Sequence, residues 1–232
     1  MTKPVLLLLP GLMCDAAVWQ AQIEAFDAGY DIRVPDFSAL ESMEAMADAV
    51  LALTDGPFAM AGHSMGGRVA MQVLGRAPQR VQRAALLDTG AHIAPPDEAM
   101  RRQALLDIAE ADGIEAVIQA WLPPMIAPGR QDDAVLWNAI ADMLRRAGVE
   151  TLKRQVRALL NRPDGFAPLA QARCPVAFIV GRQDGWSPPE QHVQMQARTP
   201  GSTLTIIEDS GHMAPMEAPA AVNLALKRWL NA

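Results

Sequence analysis

The sequence predicts an α/β protein with about six mostly parallel strands, helices on both faces of the sheet, and a helical insertion. Short apolar runs alternate with helical patterns through the first ninety residues, which is typical of a parallel sheet covered by helices. Residues 98–161 then carry helical patterns alone. Strand patterns return at residues 175–181 and 203–209. The sheet is therefore expected to form from both ends of the chain.

The predicted strands are short apolar runs, as expected for strands buried on both faces. They are VLLLL (5–9), YDIRVPDF (30–37), FAMAG (58–62), AALLDTG (84–90), PVAFIVG (175–181) and TLTIIED (203–209). Helical spacing occurs at residues 16–26, at 43–53 and from Met65 onward. Before a further helix, Ser187 and Glu190 have the spacing of a capping box.

Four consecutive helical patterns with no strand between them predict a helical insertion at about residues 92–168. In GIEAVIQAWL (113–122), apolar residues recur at the spacing of one helix face. Similar spacing occurs in EAMRRQALLDIAEA (98–111), AVLWNAIADMLRRAG (134–148) and VETLKRQVRALLN (149–161). We therefore expect a core domain of residues 1–91 and 169–232, with the helical insertion between its two parts.

Composition and net charge limit which kinds of partner and which cellular location are expected for the protein. Half of the 232 residues are hydrophobic and 20% are charged, which is ordinary for a globular protein. The formal net charge is −6 with no basic run, so nucleic acid is not expected as a partner. No apolar stretch approaches about 18 residues, so no membrane span is expected. Two cysteines, Cys14 and Cys174, fit a reducing, cytoplasmic location. The sequence carries no signal for oligomeric state.

The segment GHSMG (62–66) places Ser64 between a predicted strand and a predicted helix. A serine hydroxyl is a weak nucleophile unless it is exposed, held rigidly and placed beside a base. A sharp strand-to-helix turn meets the first two conditions, and small residues at 62 and 66 relieve the crowding that it causes. The pattern is that of a nucleophile elbow. The alternative is a glycine-rich turn without chemistry, but the flanking elements and Gly67 favour the elbow.

Four histidines could supply the base. We expect the side chain of His63 to be directed away from Ser64, while His92 begins the helical insertion and His192 lies on a helix with no suitably placed acid. His212 follows the last predicted strand and lies at its carboxyl end, the edge where parallel sheets bind ligands. We therefore predict His212 as the base; the alternative is an ordinary loop histidine.

The acid that orients the base is expected between Ser64 and His212 in the chain. Asp184, in VGRQDGWSPPE, lies just beyond a predicted strand and so reaches the same edge of the sheet. A buried carboxylate there would fix the histidine tautomer and stabilise the imidazolium ion. Asp88, in LLDTG after an earlier strand, is the competing acid.

Two backbone amides are candidates for an oxyanion hole. The Met65 N–H lies at the N-terminus of a predicted helix, where unpaired amides and the helix dipole favour negative charge. The Leu12 N–H follows the first strand, where Gly11 permits a tight turn. For Leu12, the alternative is an ordinary strand-to-helix turn.

These segments together resemble the α/β-hydrolase superfamily along the whole chain. LLLLPGL is similar to the family's strand followed by H-G-x, with Pro10 where histidine is more common. GHSMGG resembles the elbow, GRQDGWSPPE the acid turn and SGHMAPMEAP the histidine loop, in the family's order of Ser, Asp, His. The resemblance implies an α/β-hydrolase fold and a small capped serine hydrolase, esterase-like or lactonase-like. It implies no metal and no cofactor.

The resemblance also implies the reaction. Ser64 is expected to attack a small carboxylic ester, lactone or thioester, with His212 as base and Asp184 as its orienting acid. Relatives with the same three residues cleave carbon–carbon bonds in diketones, eliminate from cyclohexene carboxylates, or oxidise halides through a peracid. Carboxylate substrates of that kind need an arginine in the pocket, for which the candidates are Arg68, Arg130 and Arg182. A ligand receptor without turnover is the third alternative.

The helical insertion is expected to cover the site as a cap and to shape an apolar pocket for a small-molecule substrate. Met13 and Met213 flank the proposed catalytic loops, and methionine makes an adaptable lining. The candidates from the helical insertion are Trp121, Pro124, Met125 and Trp137.

Overall fold

The computed structural model describes residues 2–231 and contains one sheet of six strands. The strands are β1 (Val5–Leu9), β2 (Asp31–Arg33), β3 (Phe58–His63), β4 (Val81–Leu87), β5 (Val176–Gly181) and β6 (Thr203–Ile207). Their order in the sheet is β2-β1-β3-β4-β5-β6. All five neighbouring pairs are parallel. The predicted fold class is confirmed, and each of the six predicted segments overlaps one strand; β4 begins at Val81, three residues before the predicted segment 84–90.

Burial explains why the central strands read as continuous apolar runs. Every residue of β3 and of β5 is buried, whereas β2 and most of β6 lie at the edges and are only partly buried or exposed. A parallel strand covered by helices on both faces has no solvent side, so it shows no alternation of polar and apolar residues.

The helices of the described residues are α1 (Gln20–Phe26), α2 (Met43–Ala52), α3 (Met65–Arg76), α4 (Glu98–Trp121), α5 (Ala134–Leu160), α6 (Phe166–Ala170), α7 (Pro189–Ala197), α8 (Ala214–Glu217) and α9 (Pro219–Asn231). Two groups of helices pack on the sheet: α2, α3 and α6 form one group, and α1, α8 and α9 form the other. Within residues 2–231, no helix has both the length and the hydropathy to cross a bilayer.

The four helical patterns of the helical insertion form two long helices, α4 and α5, which pack against each other. Each is interrupted at a glycine with a positive φ, 76° at Gly113 and 70° at Gly148, which glycine adopts without steric cost. These interruptions fall where the sequence patterns divide. The expected boundary at residue 168 lies inside α6 (Phe166–Ala170), which packs against α3.

The capping box predicted from Ser187 and Glu190 is wrong. Helix α7 starts at Pro189, with Pro188 as its N-cap and no side-chain capping bond. The Ser187 amide instead donates a hydrogen bond of 2.9 Å to Oδ1 of Asp184. Ser187 therefore belongs to the turn that holds Asp184, and its amide is not available to the side chain of Glu190.

The turn between β3 and α3 brings three pieces of backbone into close approach. Ser64 lies at its centre with φ 53° and ψ −114°, a backbone conformation that residues other than glycine rarely adopt. A Cβ atom on Gly62 would lie 2.4 Å from the Gly66 carbonyl oxygen, and one on Gly66 would lie 2.2 Å from the Leu9 carbonyl oxygen. Only glycine at positions 62 and 66 lets β1, β3 and α3 meet in this way.

Replacing Gly66 with alanine forces β1 and α3 apart, because the new Cβ meets rigid backbone. We expect Gly66→Ala to lower the free energy of unfolding by about 1–3 kcal/mol or more, measured by urea denaturation. Gly129→Ala is the matched control, since nothing lies within 4 Å of a Cβ built there. Equal unfolding midpoints for the two variants would contradict the close-approach argument.

Candidate active site

Three loops at the carboxyl edge of the sheet bring Ser64, His212 and Asp184 into one chain of hydrogen bonds. The Ser64 Oγ lies 2.8 Å from Nε2 of His212. Nδ1 of His212 lies 2.9 Å from Oδ2 and 3.0 Å from Oδ1 of Asp184. An ionised carboxylate only accepts hydrogen bonds, so the proton of the neutral ring belongs on Nδ1. Nε2 is then free to accept the serine hydroxyl proton.

Asp184 is 2% exposed and is fixed by backbone as well as by His212. Its Oδ1 accepts hydrogen bonds from the amides of Trp186 (2.8 Å) and Ser187 (2.9 Å). Burial acts to raise the pKa of Asp184, but the charge and hydrogen bond of His212, with the two amides, hold that pKa below its ordinary value. Asp184 is therefore ionised at neutral pH and suited to stabilise an imidazolium ion.

Asp88, the competing acid, lies near this chain without contacting His212. It follows β4 with φ 48°, and its Oδ1 accepts a hydrogen bond of 2.9 Å from the Gly181 amide at the end of β5. Burial and the charge of Asp184 raise the pKa of Asp88 well above its ordinary value. The geometry therefore pairs the histidine with Asp184, and Asp88 joins two neighbouring strands.

The loop that carries His212 is held by Glu217, which is 1% exposed. Its Oε1 accepts hydrogen bonds of 3.0 Å from the amides of Gly211 and Met213, the two neighbours of His212. Its Oε2 accepts a hydrogen bond of 2.8 Å from the amide of Ala127 in the helical insertion. One buried carboxylate thus fixes both sides of the histidine and joins them to the helical insertion.

His63 also holds this loop, a contact that the sequence analysis missed. Its Nε2 donates a hydrogen bond of 2.8 Å to the carbonyl oxygen of His212. Its ring packs edge to face on Trp19, with ring centroids 6.3 Å apart. Burial lowers the pKa of His63 to about 3, so the ring is neutral at pH 7. The residue before the serine therefore supports the backbone of the histidine.

The loop that carries Leu12 depends on Gln155, another residue that the sequence analysis did not select. Oε1 of Gln155 accepts a hydrogen bond of 2.7 Å from the Met13 amide, and its Nε2 donates one of 3.2 Å to the Phe37 carbonyl oxygen. Met13 has φ 57°, so the loop turns sharply there. The available signal was a glutamine next to Val156 on a helix face predicted to be apolar.

The predicted oxyanion donors, the amides of Leu12 and Met65, belong to two residues that line the same cavity as Ser64. Leu12 follows Gly11 in the loop after β1, and Met65 is the first residue of α3. Both residues line the cavity that contains Ser64 and His212. Among residues 2–231, neither amide has a hydrogen-bond acceptor. Within the described residues, both N–H groups therefore lack an internal partner.

The cavity beside Ser64 has a volume of about 610 Å³ and lies between the sheet edge and the helical insertion. A narrow apolar recess of about 10 Å³ lies next to it, with room for about one water. Of the predicted substrate contacts, Trp121 and Met125 line both spaces and Met213 lines the recess. Met13 and Trp137 line neither space. Met13 is fully buried in the hydrophobic core, and Trp137 is partly buried and packs against that core.

The three arginines considered for the pocket differ in position. Arg68 lines the large cavity. Arg130 pairs with Asp133 at 3.6 Å, and Arg182 pairs with Glu208 at 2.7 Å. Neither of these two lines the cavity, so Arg68 is the one of the three that does.

His192 supports the turn that carries Ser64 through a hydrogen bond to Thr89. Its Nε2 accepts a hydrogen bond of 3.1 Å from the Thr89 amide, and its Nδ1 donates one of 3.3 Å to the Pro188 carbonyl oxygen. The Thr89 hydroxyl in turn donates a hydrogen bond of 2.7 Å to the Ser64 carbonyl oxygen. Accepting the amide proton requires a neutral ring, and burial lowers the pKa of His192 to about 4.

This lowered pKa predicts a loss of stability in acid. Between pH 4 and 6.5 the unfolded chain binds a proton at His192 that the folded chain does not, so the stabilisation is complete above pH 6.5 and falls below it. From pH 7.5 to 5.0 the contribution lost is about 2 kcal/mol. We expect His192→Gln, which keeps an acceptor and a donor, to reduce the pH dependence of urea unfolding by that amount. An unchanged pH dependence would contradict this assignment.

Comparison with known proteins agrees with this geometry. The alpha/beta hydrolase family matches residues 6–225. The (E)-2-((N-methylformamido)methylene)succinate hydrolase of Acinetobacter baylyi is 28% identical over 97% of this chain and 89% of its own length. A thermophilic esterase from Thermogutta terrifontis, solved with malate bound, is 27% identical, with a TM-score of 0.90 over 99% of this chain and 90% of that one. The enol-lactonase of Burkholderia xenovorans shares the fold at 21% identity, with a TM-score of 0.90 over 100% and 93% of the two chains. The chain belongs to the alpha/beta hydrolase family.

Proposed function

We propose that this alpha/beta hydrolase is a serine hydrolase that cleaves a small carboxylic ester, lactone or thioester through an acyl-enzyme on Ser64. The observation that carries the proposal is the hydrogen-bonded chain from Ser64 through His212 to Asp184 at the wall of a cavity of about 610 Å³. Nucleophile, base and orienting acid lie within proton-transfer reach, as this chemistry requires.

In the first step, Oγ of Ser64 attacks the substrate carbonyl carbon while its proton moves to Nε2 of His212. The imidazolium ion that results is stabilised by Asp184, which stays ionised. The carbonyl oxygen becomes an oxyanion and accepts hydrogen bonds from the amides of Leu12 and Met65. His212 then gives the proton to the leaving alcohol or thiol, whose bond to the acyl carbon breaks.

In the second step, water replaces the leaving group beside the acyl-enzyme. His212 takes a proton from the water, whose oxygen attacks the acyl carbon. The tetrahedral intermediate again places its charge on the amides of Leu12 and Met65. When the bond to Ser64 breaks, His212 returns the proton to Oγ and the acid product leaves.

We propose that the helical insertion, residues 92–168, acts as a cap over this chemistry. Trp121 and Met125 belong to it and line both the cavity and the recess, so they are the substrate contacts that we retain. Met213 joins them from the histidine loop. The cytoplasmic location also stays part of the proposal, and both cysteines are free thiols.

The named activities of the relatives support hydrolysis and differ in substrate. One is a hydrolase of a succinate derivative, one is an esterase and one is an enol-lactonase. We therefore propose that this chain also hydrolyses a small organic compound. The class of substrate is inferred below from the residues that line the cavity.

A second candidate function keeps the same three residues and changes the bond. Cleavage of a carbon–carbon bond, or elimination, in a carboxylate-bearing substrate is favoured by Arg68, because this arginine lines the cavity. A cofactor-free haloperoxidase and a receptor without turnover have no comparable observation in their favour. A panel of short 4-nitrophenyl esters and diketone acids separates the first two reactions by which substrate is consumed.

The proposed function makes Ser64 the residue that a serine-directed fluorophosphonate labels. We expect the folded protein to gain one phosphonyl group on Ser64 by peptide mass spectrometry and to hydrolyse 4-nitrophenyl acetate. Ser64→Ala should escape labelling and lose about 10³-fold or more in kcat, because the nucleophile is gone. Ser38→Ala, at a serine that does not line the cavity, is the matched control and should behave as wild type.

Two results would overturn the proposal. One is labelling of another residue in the wild-type protein with Ser64 left free. The other is hydrolysis by Ser64→Ala at the wild-type rate, since water activated without the serine would then account for turnover.

A further inference from the structure

One wall of the large cavity concentrates positive charge in a chain whose net charge is −6. Four arginines line it, Arg68, Arg101, Arg102 and Arg162, together with the carboxylate of Glu98. Arg101 is exposed and pairs with Asp97. Burial acts to raise the pKa of Glu98, but Arg162 and Arg102 lower it to about 2, so this carboxylate is ionised. Apart from the Arg101–Asp97 pair, Arg68, Arg102, Arg162 and Glu98 together carry a surplus of about two positive charges at neutral pH.

All five N–H groups of Arg162 donate hydrogen bonds to other groups of the protein. Two of its N–H groups bind the carboxylate of Glu98, at 2.7 and 2.6 Å. The other three bind carbonyl oxygens of His92, Ile93 and Leu159. A guanidinium has five N–H donors, so Arg162 has none left for a ligand. Its role is to hold the two ends of the helical insertion together.

Arg102 shares the same carboxylate. Its Nε donates a hydrogen bond of 2.7 Å to Oε1 of Glu98, the oxygen that Arg162 also binds. The single negative charge of Glu98 is therefore shared by two arginines, Arg102 and Arg162. Nη2 of Arg102 also lies 2.7 Å from the same Glu98 oxygen, while Nη1 has no acceptor within residues 2–231.

Arg68 has no carboxylate partner among the described residues. It lies one helical turn after Ser64 on α3, and its Nη1 donates a hydrogen bond of 2.8 Å to the His92 carbonyl oxygen. Four of its five N–H groups have no acceptor within residues 2–231. Burial and the nearby charge of Arg162 lower the pKa of Arg68, yet a guanidinium keeps its charge at neutral pH.

A partly buried cation without an opposite charge is costly in a folded protein. A bound anion removes that cost, and surplus positive charge in a cavity attracts one. A carboxylate matches the planar fork of a guanidinium and accepts two parallel hydrogen bonds from it. His92 adds no competing charge, because burial, Arg68 and Arg162 lower its pKa to about 4.

We propose that Arg68, assisted by Arg102, binds a second carboxylate on the acyl portion of the substrate. The inference rests on the proposed function and names its substrate class: a monoester of a short dicarboxylic acid. The recess beside Ser64 has room for about one water, so the larger part of the substrate lies in the large cavity. Ser64 and Arg68 lie one turn apart, so a short acid reaches both.

The test compares esters that differ only in this charge. The charged set is monomethyl succinate, glutarate and adipate, and the neutral set is methyl 4-methylpentanoate, 5-methylhexanoate and 6-methylheptanoate, in which an isopropyl group replaces the carboxylate. For at least one chain length we expect kcat/KM to favour the charged ester by about 10- to 100-fold, the worth of a charged hydrogen bond. Methanol release measures both sets.

Arg68→Met should lower this preference by the same factor, and Arg68→Lys should keep part of it. The ratio of the two kcat/KM values is insensitive to loss of folded enzyme, because both rates fall together. Arg182→Met is the matched control, since that arginine pairs with Glu208 away from the cavity. A wild-type ratio near one, or a ratio that Arg68→Met leaves unchanged, overturns the inference.

The outcome is separable from that of the proposed function. Hydrolysis of the neutral esters that depends on Ser64, without a preference for charge, leaves the proposed function standing and refutes the carboxylate site. If neither set is hydrolysed, calorimetry with free adipate decides: binding by wild type and not by Arg68→Met supports the site, and no binding by either refutes it. Tighter binding of inorganic phosphate than of adipate also refutes a carboxylate site.

Discussion

The backbone of Ser64 is held at φ 53° and ψ −114°, and the rest of the site depends on that turn. The conformation costs free energy on the order of 1–3 kcal/mol and persists only because the surroundings over-determine it. Gly62 and Gly66 let the backbone close up around it, and the Thr89 hydroxyl holds the Ser64 carbonyl oxygen. Four residues other than glycine have a positive φ within residues 2–231, and all follow the carboxyl ends of strands: Met13, Ser64, Asp88 and Asp209. Strain is thus concentrated at one edge of the sheet.

Buried side chains hold the loops at this edge by bonding to backbone rather than to each other. Gln155 binds the Met13 amide, His63 binds the His212 carbonyl oxygen, and Glu217 binds the amides on both sides of that histidine. Buried backbone groups need partners, and these side chains supply them where no strand or helix does. Because Gln155 belongs to α5, and Glu217 also binds Ala127, the helical insertion is fastened to two of the loops around Ser64.

The strands and the surroundings of Ser64 could be predicted because their signals are local. A buried parallel strand is a short apolar run, and the carboxyl-edge rule directs attention to loops that follow such runs. The choice of acid was less secure, since Asp88 and Asp184 both follow strands. The hydrogen bonds that Gln155 and His63 make could not be predicted from neighbouring residues, because each joins residues at least 118 positions apart in the chain. The capping box failed for a related reason: the Asp184 turn took up the amide of Ser187.

The central claim is that Ser64, His212 and the amides of Leu12 and Met65 converge on one substrate carbonyl group. A crystal structure of the protein after reaction with a methyl fluorophosphonate tests it most directly, because the phosphonyl group mimics the tetrahedral intermediate. The account predicts density continuous with Oγ of Ser64 and a phosphonyl oxygen about 2.7–3.1 Å from both amide nitrogens. A phosphonyl oxygen directed away from both amides, or an adduct on another residue, would contradict it.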